Sequence, residues 1–505
     1  MANRYWVGGT GTWNTSSTTN WSASSGGASG ASVPTAADSV FFDQASTYTV
    51  TLTGALTCLD ITVSAGTVTF SGSGTPTISG SMSLVAATVW NATGLITFNA
   101  TTTGNTITTN GVSLSASITF NGVGGSWQLG SALTTGATRV TTLTAGTLDL
   151  ASYTLTSGLF TSSNTNTRVM AFGTGKMVIT GLNASVWTTS ISTGLTMTGT
   201  RTVEFTGVGT AGQTRTITGG STTTDGTAAN AVNMYFKAGV DIISLGTGNR
   251  VYGTLDFTGF SGSTIANIAP QIYGDLVLST GMTVTSGTNI WTFVATTSQT
   301  ITTNGKTIDN PIRFNGIGGT WAMQDALTLG STRNLTMTNG TLQLKSGTTN
   351  TVGALLTAGT NQKFLQSTTP GTQATLSDSS DTNSVNYLTI RDINATGGAI
   401  FEAYVTNNNV NAGNNTGWDF YPVTNSIYDS LQLRGYTGTV TDMLLQYYKA
   451  NGATSNSLQD AESQFLIIKG YTLGSNTDKW YAYLRSLSFT GTVTDMLFDY
   501  WKDPV

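Results

Sequence analysis

This chain of 505 residues contains no histidine. That removes the usual proton shuttle near neutral pH, the commonest metal ligand, and every Ser-His or Cys-His nucleophile. There is one cysteine, Cys58, so no disulfide can form within the chain. It lies in Leu56-Thr-Cys-Leu-Asp-Ile61 at an inward strand position, which predicts a small buried hydrophobe. Charge is scarce: Asp, Glu, Lys and Arg make up 9% of residues, against roughly 25% in an average soluble protein. The 20 basic residues are scattered, with no patch for nucleic acid. No run approaches the roughly 18 apolar residues that a membrane-inserted helix needs. The start, Met1-Ala-Asn-Arg-Tyr-Trp6, lacks the apolar segment of a secretory signal, so synthesis without export is expected. No Asp-x-[Asp/Asn]-x-[Asp/Asn]-Gly loop or Gly-Gly-x-Gly-x-Asp array is present, glycines such as Gly122-Val-Gly-Gly125 lack a following lysine or a strand-to-helix context, and no cofactor or metal is expected.

What remains is glycine, threonine, serine and 38% apolar residues, with a net charge of only −4. Such a composition would suit disorder if the apolar residues were scattered. They alternate instead. Thr49-Val-Thr-Leu-Thr53, Thr67-Val-Thr-Phe70, Leu95-Ile-Thr-Phe98 and Ser117-Ile-Thr-Phe120 are short strands with apolar and Ser/Thr positions in turn. Many short strands broken by Gly and Asn-Gly corners fit a solenoid better than a sandwich. The expected fold is all-β, a right-handed parallel β-helix, followed by a small α-helical module.

One block is written twice. Thr106-Ile-Thr-Thr-Asn-Gly111 and Phe120-Asn-Gly-Val-Gly-Gly-Ser-Trp127 recur as Thr300-Ile-Thr-Thr-Asn-Gly305 and Phe314-Asn-Gly-Ile-Gly-Gly-Thr-Trp321. The copies span 105–150 and 299–344 and keep one constant offset throughout. Asn110, Asn121, Asn304 and Asn315 each precede glycine and are expected at left-handed corners. Trp127 and Trp321 are candidate sugar-stacking platforms, with packing against the neighbouring rung as the structural alternative.

The ends differ from the middle. Residues 1–43 hold Trp6-Val-Gly-Gly-Thr-Gly-Thr-Trp13, then Asn20-Trp21, then Pro34-Thr-Ala-Ala-Asp-Ser-Val-Phe-Phe42. Trp6, Trp13 and Trp21 are either carbohydrate platforms or an aromatic plug over the first rung, which would otherwise expose apolar core and unpaired edges. Residues 44–422 read as the solenoid, closing on Gly413-Asn-Asn-Thr-Gly-Trp418. The opening pattern resembles that of bacterial surface β-helix proteins, autotransporter-passenger-like adhesins and phage structural proteins. The closing pattern is similar to a last rung of bacterial and phage β-helix proteins.

From residue 423 the periodicity shifts from 2 toward 3.6. Residues 425–505 hold 14 of the chain's 44 Asp, Glu, Lys and Arg residues, about twice their share by length. About five short helices are expected, starting with Ile427–Leu433 and including Val440–Lys449, Ser457–Ile468 and Asp478–Leu487. Tyr436-Thr-Gly-Thr-Val-Thr-Asp-Met-Leu444 recurs as Phe489-Thr-Gly-Thr-Val-Thr-Asp-Met-Leu497. Thr439 is expected to cap its helix, with Asp442 three residues on. The module resembles a C-terminal helical repeat of tailed-phage virion proteins. Met443, Tyr447, Phe465, Trp480, Tyr483, Met496 and Trp501 are its candidate docking or oligomerisation residues.

These resemblances imply a non-enzymatic rod on a phage particle's exterior, a tail fibre or spike attached to the host. A capsid decoration protein is the near alternative, since the β-helix pattern starts at Arg4 with no anchor ahead of it. A bacterial surface adhesin and a polysaccharide depolymerase are the others. Expected partners are other virion proteins, a host cell-surface glycan and, for a fibre or spike, further copies forming a homotrimer. A depolymerase would need paired carboxylates. The solenoid offers Asp149, Glu204, Asp225, Asp241, Asp256, Asp275, Asp325, Asp378 and Asp381; Asp256 and Asp275 fit a one-rung spacing loosely, as would many random pairs.

Overall fold

The structure is a computed structural model that describes all residues except 1, 183, 221–226, 247–248, 267, 380–381, 421–426 and 503–505. Alternation sets the strands. In Thr47–Leu52, Tyr48, Val50 and Leu52 point inward and the threonines outward. That strand pairs in parallel with Thr67–Gly72, residue for residue, from Thr47 with Thr67 to Leu52 with Gly72. Stacking of this kind, one short strand on the next, gives a parallel β-solenoid of about 16 turns. Among the described strand pairs, only Asn3–Trp6 with Trp21–Ser22 is antiparallel.

Each rung has three faces. The first carries Ser39–Phe42, Ile61–Val63, Met82–Ser83 and Asn105–Thr108. The second carries Thr47–Leu52, Thr67–Gly72, Val89–Trp90 and Ser113–Leu114. The third carries Ala55–Cys58, Thr75–Ile78, Ile96–Phe98 and the start of Ile118–Leu129. Rung length is not constant. One short turn takes the chain from Val40 to Ile61, and a much longer one takes it from Thr202 to Asn233. The interior is a column of like on like. Phe205, Phe236 and Phe257 stack with ring centres 4.9 and 4.6 Å apart, and Phe98 lies on Phe120 at 5.3 Å. Cys58 is fully buried in this column, and burial pushes its thiol well above the usual range.

Residues 2–43 belong to the solenoid rather than sitting outside it. Asn3–Trp6 and Gly11–Trp13 pair in parallel with the rung that follows and form a first turn. Its three tryptophans close it. Trp6 and Trp13 meet Trp21 edge-on, and all three meet Phe42, with ring centres 5.2 to 6.2 Å apart. Gly8 is required because a Cβ there would lie 2.1 Å from Asn20 Oδ1, and Asn20 Nδ2 donates to Thr12 O at 3.1 Å. At the other end Asn414 donates to Asp392 Oδ1 at 2.7 Å, and Asn415 accepts from Ile393 N and donates to Ile390 O. Trp418 then packs on Phe401 at 5.1 Å.

The duplicated corners depart from expectation. Asn110 and Asn304 are left-handed, with φ of 50° and 51°. Asn121 and Asn315 are not; they lie in the 12-residue strands Ile118–Leu129 and Ile312–Met323, at register shifts against the next rung. Instead Gly124 and Gly318 adopt positive φ, both 77°. The chain bends across a corner without leaving the ladder.

Five helices follow among the described residues: α1 (Ile427–Leu433), α2 (Val440–Ala450), α3 (Leu458–Ile468), α4 (Asn476–Ser486) and α5 (Val493–Lys502). The Thr439–Asp442 capping box is present. The α4 helix starts two residues before the expected Asp478, because Ser475 is its cap and Asp478 closes a second capping box.

Candidate functional site

The aromatic candidates are not surface platforms. Trp6, Trp13, Trp21, Trp127 and Trp321 are all at most 1% exposed. A sugar stacks on an open ring face, and these faces are covered by Phe42, Phe120, Phe314 and neighbouring rungs. Trp321 Cζ3 lies so near Gly340 that a Cβ there would be 2.9 Å away. In both copies the tryptophan fills space that glycines leave open.

The helical candidates are core too. Met443, Tyr447, Phe465, Trp480, Met496 and Trp501 are buried together, and Tyr483 packs partly buried against them. Tyr447 Oη lies 2.6 Å from Tyr500 Oη, and Trp480 Nε1 donates to Glu462 Oε1 at 2.7 Å. These residues bind helix to helix and offer no docking face. The exposed apolar residues of the module are others, notably Ile468 on the last turn of α3 and Leu473 just after it, 53% and 87% exposed.

The candidate carboxylates among the described residues are taken up locally. Asp149 accepts from Gln128 Nε2 and Ala151 N, and Asp325 accepts from Thr303 N and Asn304 N. Asp241 is fully buried against Arg215, with Nε–Oδ2 at 2.6 Å. Asp378 accepts from Asn383 at 3.0 Å. Asp225 and Asp381 lie outside the described residues. Asp256 and Asp275 do not stack: Asp256 pairs with Val277, while Asp275 Oδ1 accepts from Thr300 N. Instead Glu204, Tyr235 and Asp256 form one outward row on the second face. Burial and then the charges of Asp256, Asp275 and Glu204 raise the Tyr235 phenol above its ordinary range. Glu204 is ion-paired with Lys176 at 2.8 Å, and Lys237 lies over the Tyr235 ring at 4.9 Å. Glycoside hydrolysis needs a carboxyl free to hold a proton toward the substrate. In this row Glu204 is engaged by Lys176, and Asp256 Oδ1 accepts from Thr258 N at 2.7 Å.

A groove of about 430 Å³ lies on the first face, further along the rod. Its floor is the outward row Gln271, Thr292 and Arg313, stacked rung upon rung. Thr288, Asn289 and Ile290 wall one side, with Asn315 alongside. Asn315 starts a ladder, accepting from Asn339 Nδ2, while Asn339 accepts from Asn361 Nδ2, both at 2.8 Å. Neither the Gln271–Arg313 floor nor the ladder was read from the sequence. In the sequence it is marked by Arg313 standing where the first copy has Thr119, one of several differences between the copies.

Among the described residues no cluster of three potential ligands could hold a metal ion. No helix among them is long and apolar enough to cross a membrane. No protein-family model, curated protein or solved structure matches this chain.

Proposed function

We propose that this chain is a non-enzymatic structural rod on the exterior of a tailed-phage virion, used in host-surface attachment and docked through its C-terminal helices. The observation that carries the reading is one hydrophobic core running from the Trp6–Trp13–Trp21 cluster to Trp418 and Phe420. It is wrapped in threonine, serine and asparagine faces and followed by a second, separate hydrophobic cluster in the helices. A solenoid adds length rung by rung without needing a new core, which suits a spacer between particle and host. Nearly uncharged faces add little long-range attraction or repulsion along it. The local engagement of Asp149, Glu204, Asp241, Asp325 and Asp378 favours attachment over depolymerisation.

Cryo-EM of the intact particle tests the location. The expected result is density for the rod on the tail; density on the capsid would move the role to decoration, and density on neither would overturn the reading. Deleting residues 425–505 is expected to abolish incorporation while keeping the β circular dichroism signal. Retained incorporation would remove the docking role.

A further inference from the structure

We propose that the groove around Arg313 binds a carboxylate-bearing saccharide. Arg313 would hold the carboxylate, and Gln271, Thr292 and Asn315 the sugar hydroxyls. The chain supplies its own comparison. In the first copy of the duplicated block Thr119 stands where the second has Arg313, and each heads an outward row reaching back into the rungs before its copy: Thr77 and Thr97 under Thr119, Gln271 and Thr292 under Arg313. Within the block an outward threonine is thus answered by a long cationic side chain, while the inward Phe120 and Phe314 are the same. A substitution that served packing would fall on the inward row.

Arg313 is also placed without a counter-charge. Arg333 is tied to Asp309 at 2.7 Å, Arg215 to Asp241, and Lys176 to Glu204. Arg313 has no carboxylate within salt-bridge distance among the described residues, and its Nε is buried with no hydrogen-bond partner. A carboxylate in the groove would meet the guanidinium through its two terminal nitrogens, with two parallel bonds.

The remaining chemistry points to a sugar rather than a bare anion. A groove of about 430 Å³ is far larger than an inorganic ion needs. Asn315 spends its carbonyl on Asn339, which leaves its Nδ2 as a donor. Gln271 and Thr292 add donors and acceptors one rung, about 4.8 Å, apart. Ala269, Ile290 and Val294 supply apolar wall for the C–H faces of a ring. One guanidinium is too little for nucleic acid, whose binding takes many cations along a backbone.

That the saccharide belongs to a host rests on the attachment reading. The experiment reads the groove alone, so either can fail without the other. The purified full chain is screened on an array of neutral and acidic oligosaccharides, with oligogalacturonate and sialyllactose among the acidic probes and maltotetraose among the neutral ones. Binders are then titrated by calorimetry beside sodium acetate and sodium phosphate. The expected result is binding of acidic glycans that falls at least tenfold in Arg313→Thr and less in Arg313→Lys. The thermal midpoint should not fall, because the side chain faces outward and makes no ion pair among the described residues. No Arg313-dependent binding to any acidic glycan would overturn the proposal. So would equal affinity for neutral glycans, or acetate or phosphate binding as tightly as the glycan.

Discussion

A glycine in this chain is often a statement about the rung beneath it. A Cβ on Gly122 or Gly125 would lie 1.8 or 1.9 Å from Ala100 O, and one on Gly316 or Gly319 would lie 1.7 or 2.1 Å from Ala295 O. Backbone cannot retreat as a side chain can, so Gly125→Ala should destabilise by about 3 kcal/mol or more. Gly111 is the contrast: its φ is +88° and nothing lies within 4 Å, so Gly111→Ala should cost only the left-handed penalty of about 1–2 kcal/mol. Scanning calorimetry of the two variants compares these costs, and equal shifts would defeat the close-approach argument. The same scale governs Arg215 and Asp241, both fully buried, with Phe260 5.8 Å from the guanidinium. Asp241→Asn should cost about 3–5 kcal/mol, because it strands a buried cation. Denaturant titration measures it, and a loss under about 1 kcal/mol would mean that the pair is solvated.

At the scale of elements, the helical module is more regular than its sequence suggests. Caps fall at Thr439, Ser457, Ser475 and Thr492, in nearly even steps. Each of α1 to α4 ends alike: the amides of Tyr436, Ala453, Tyr471 and Phe489 bond back to Leu431, Tyr448, Leu466 and Leu484. The repeat of Tyr436–Leu444 at Phe489–Leu497 is therefore three units long. The intervening units hide it, because Ala453 replaces an aromatic and the α3 cap Ser457 makes no side-chain bond. The left-handed position after each helix is Gly435, Gly452, Gly470 and then Ser488, with φ of 70°. Ser488→Gly should relieve that strain and stabilise the module by about 1 kcal/mol, read as a raised helical melting midpoint. Hydrogen bonds from Thr439, Ser475 and Thr492 hold the carboxyls of Asp442, Asp478 and Asp495 below their ordinary value of 3.8. A carboxyl with a depressed folded pKa stabilises fully above its unfolded pKa and loses that contribution as pH falls through the folded one. Helical melting should thus soften below about pH 4, and the triple Asp→Asn variant should lose this dependence. Strand alternation, both closing motifs and the first capping box were legible because each is local. The Ser475 cap is hidden because Asp478 looks like a helix start, whereas it is the helix's third residue.

The whole molecule adds what no local pattern carries, which is phase. The first copy's Asn105–Thr108 lies on the first face. Its counterpart Ser298–Thr302 lies on the column running back through Leu276–Val277, Leu255–Asp256, Asn233–Phe236, Thr202–Phe205, Lys176–Ile179, Thr154–Ser157 and Leu133–Thr135 to Ser113–Leu114. That is the second face. The duplicated block is therefore advanced by one face of the rod. A constant offset in sequence could not reveal this. Turns as short as Val40 to Ile61 and as long as Thr202 to Asn233 make sequence distance a poor measure of turns. The exposed tips Val123 and Ile317, equivalent in sequence, consequently lie on different corners and cannot meet one flat partner together. Duplication here extends the rod; it does not repeat a site along one side. Since each rung reads only its neighbours, the copies should be interchangeable as junctions. Removing residues 147–340 joins Gly146 to Thr341 and lays Thr341–Gln343 on Ser126–Gln128 as they now lie on Thr320–Ala322. The shortened chain should fold with its β circular dichroism per residue intact and a shorter particle in solution scattering, yet bind no acidic glycan, since Arg313 is gone. An unfolded product would mean that the long middle rungs, with their buried Arg215–Asp241 pair, are needed to set the phase of those that follow.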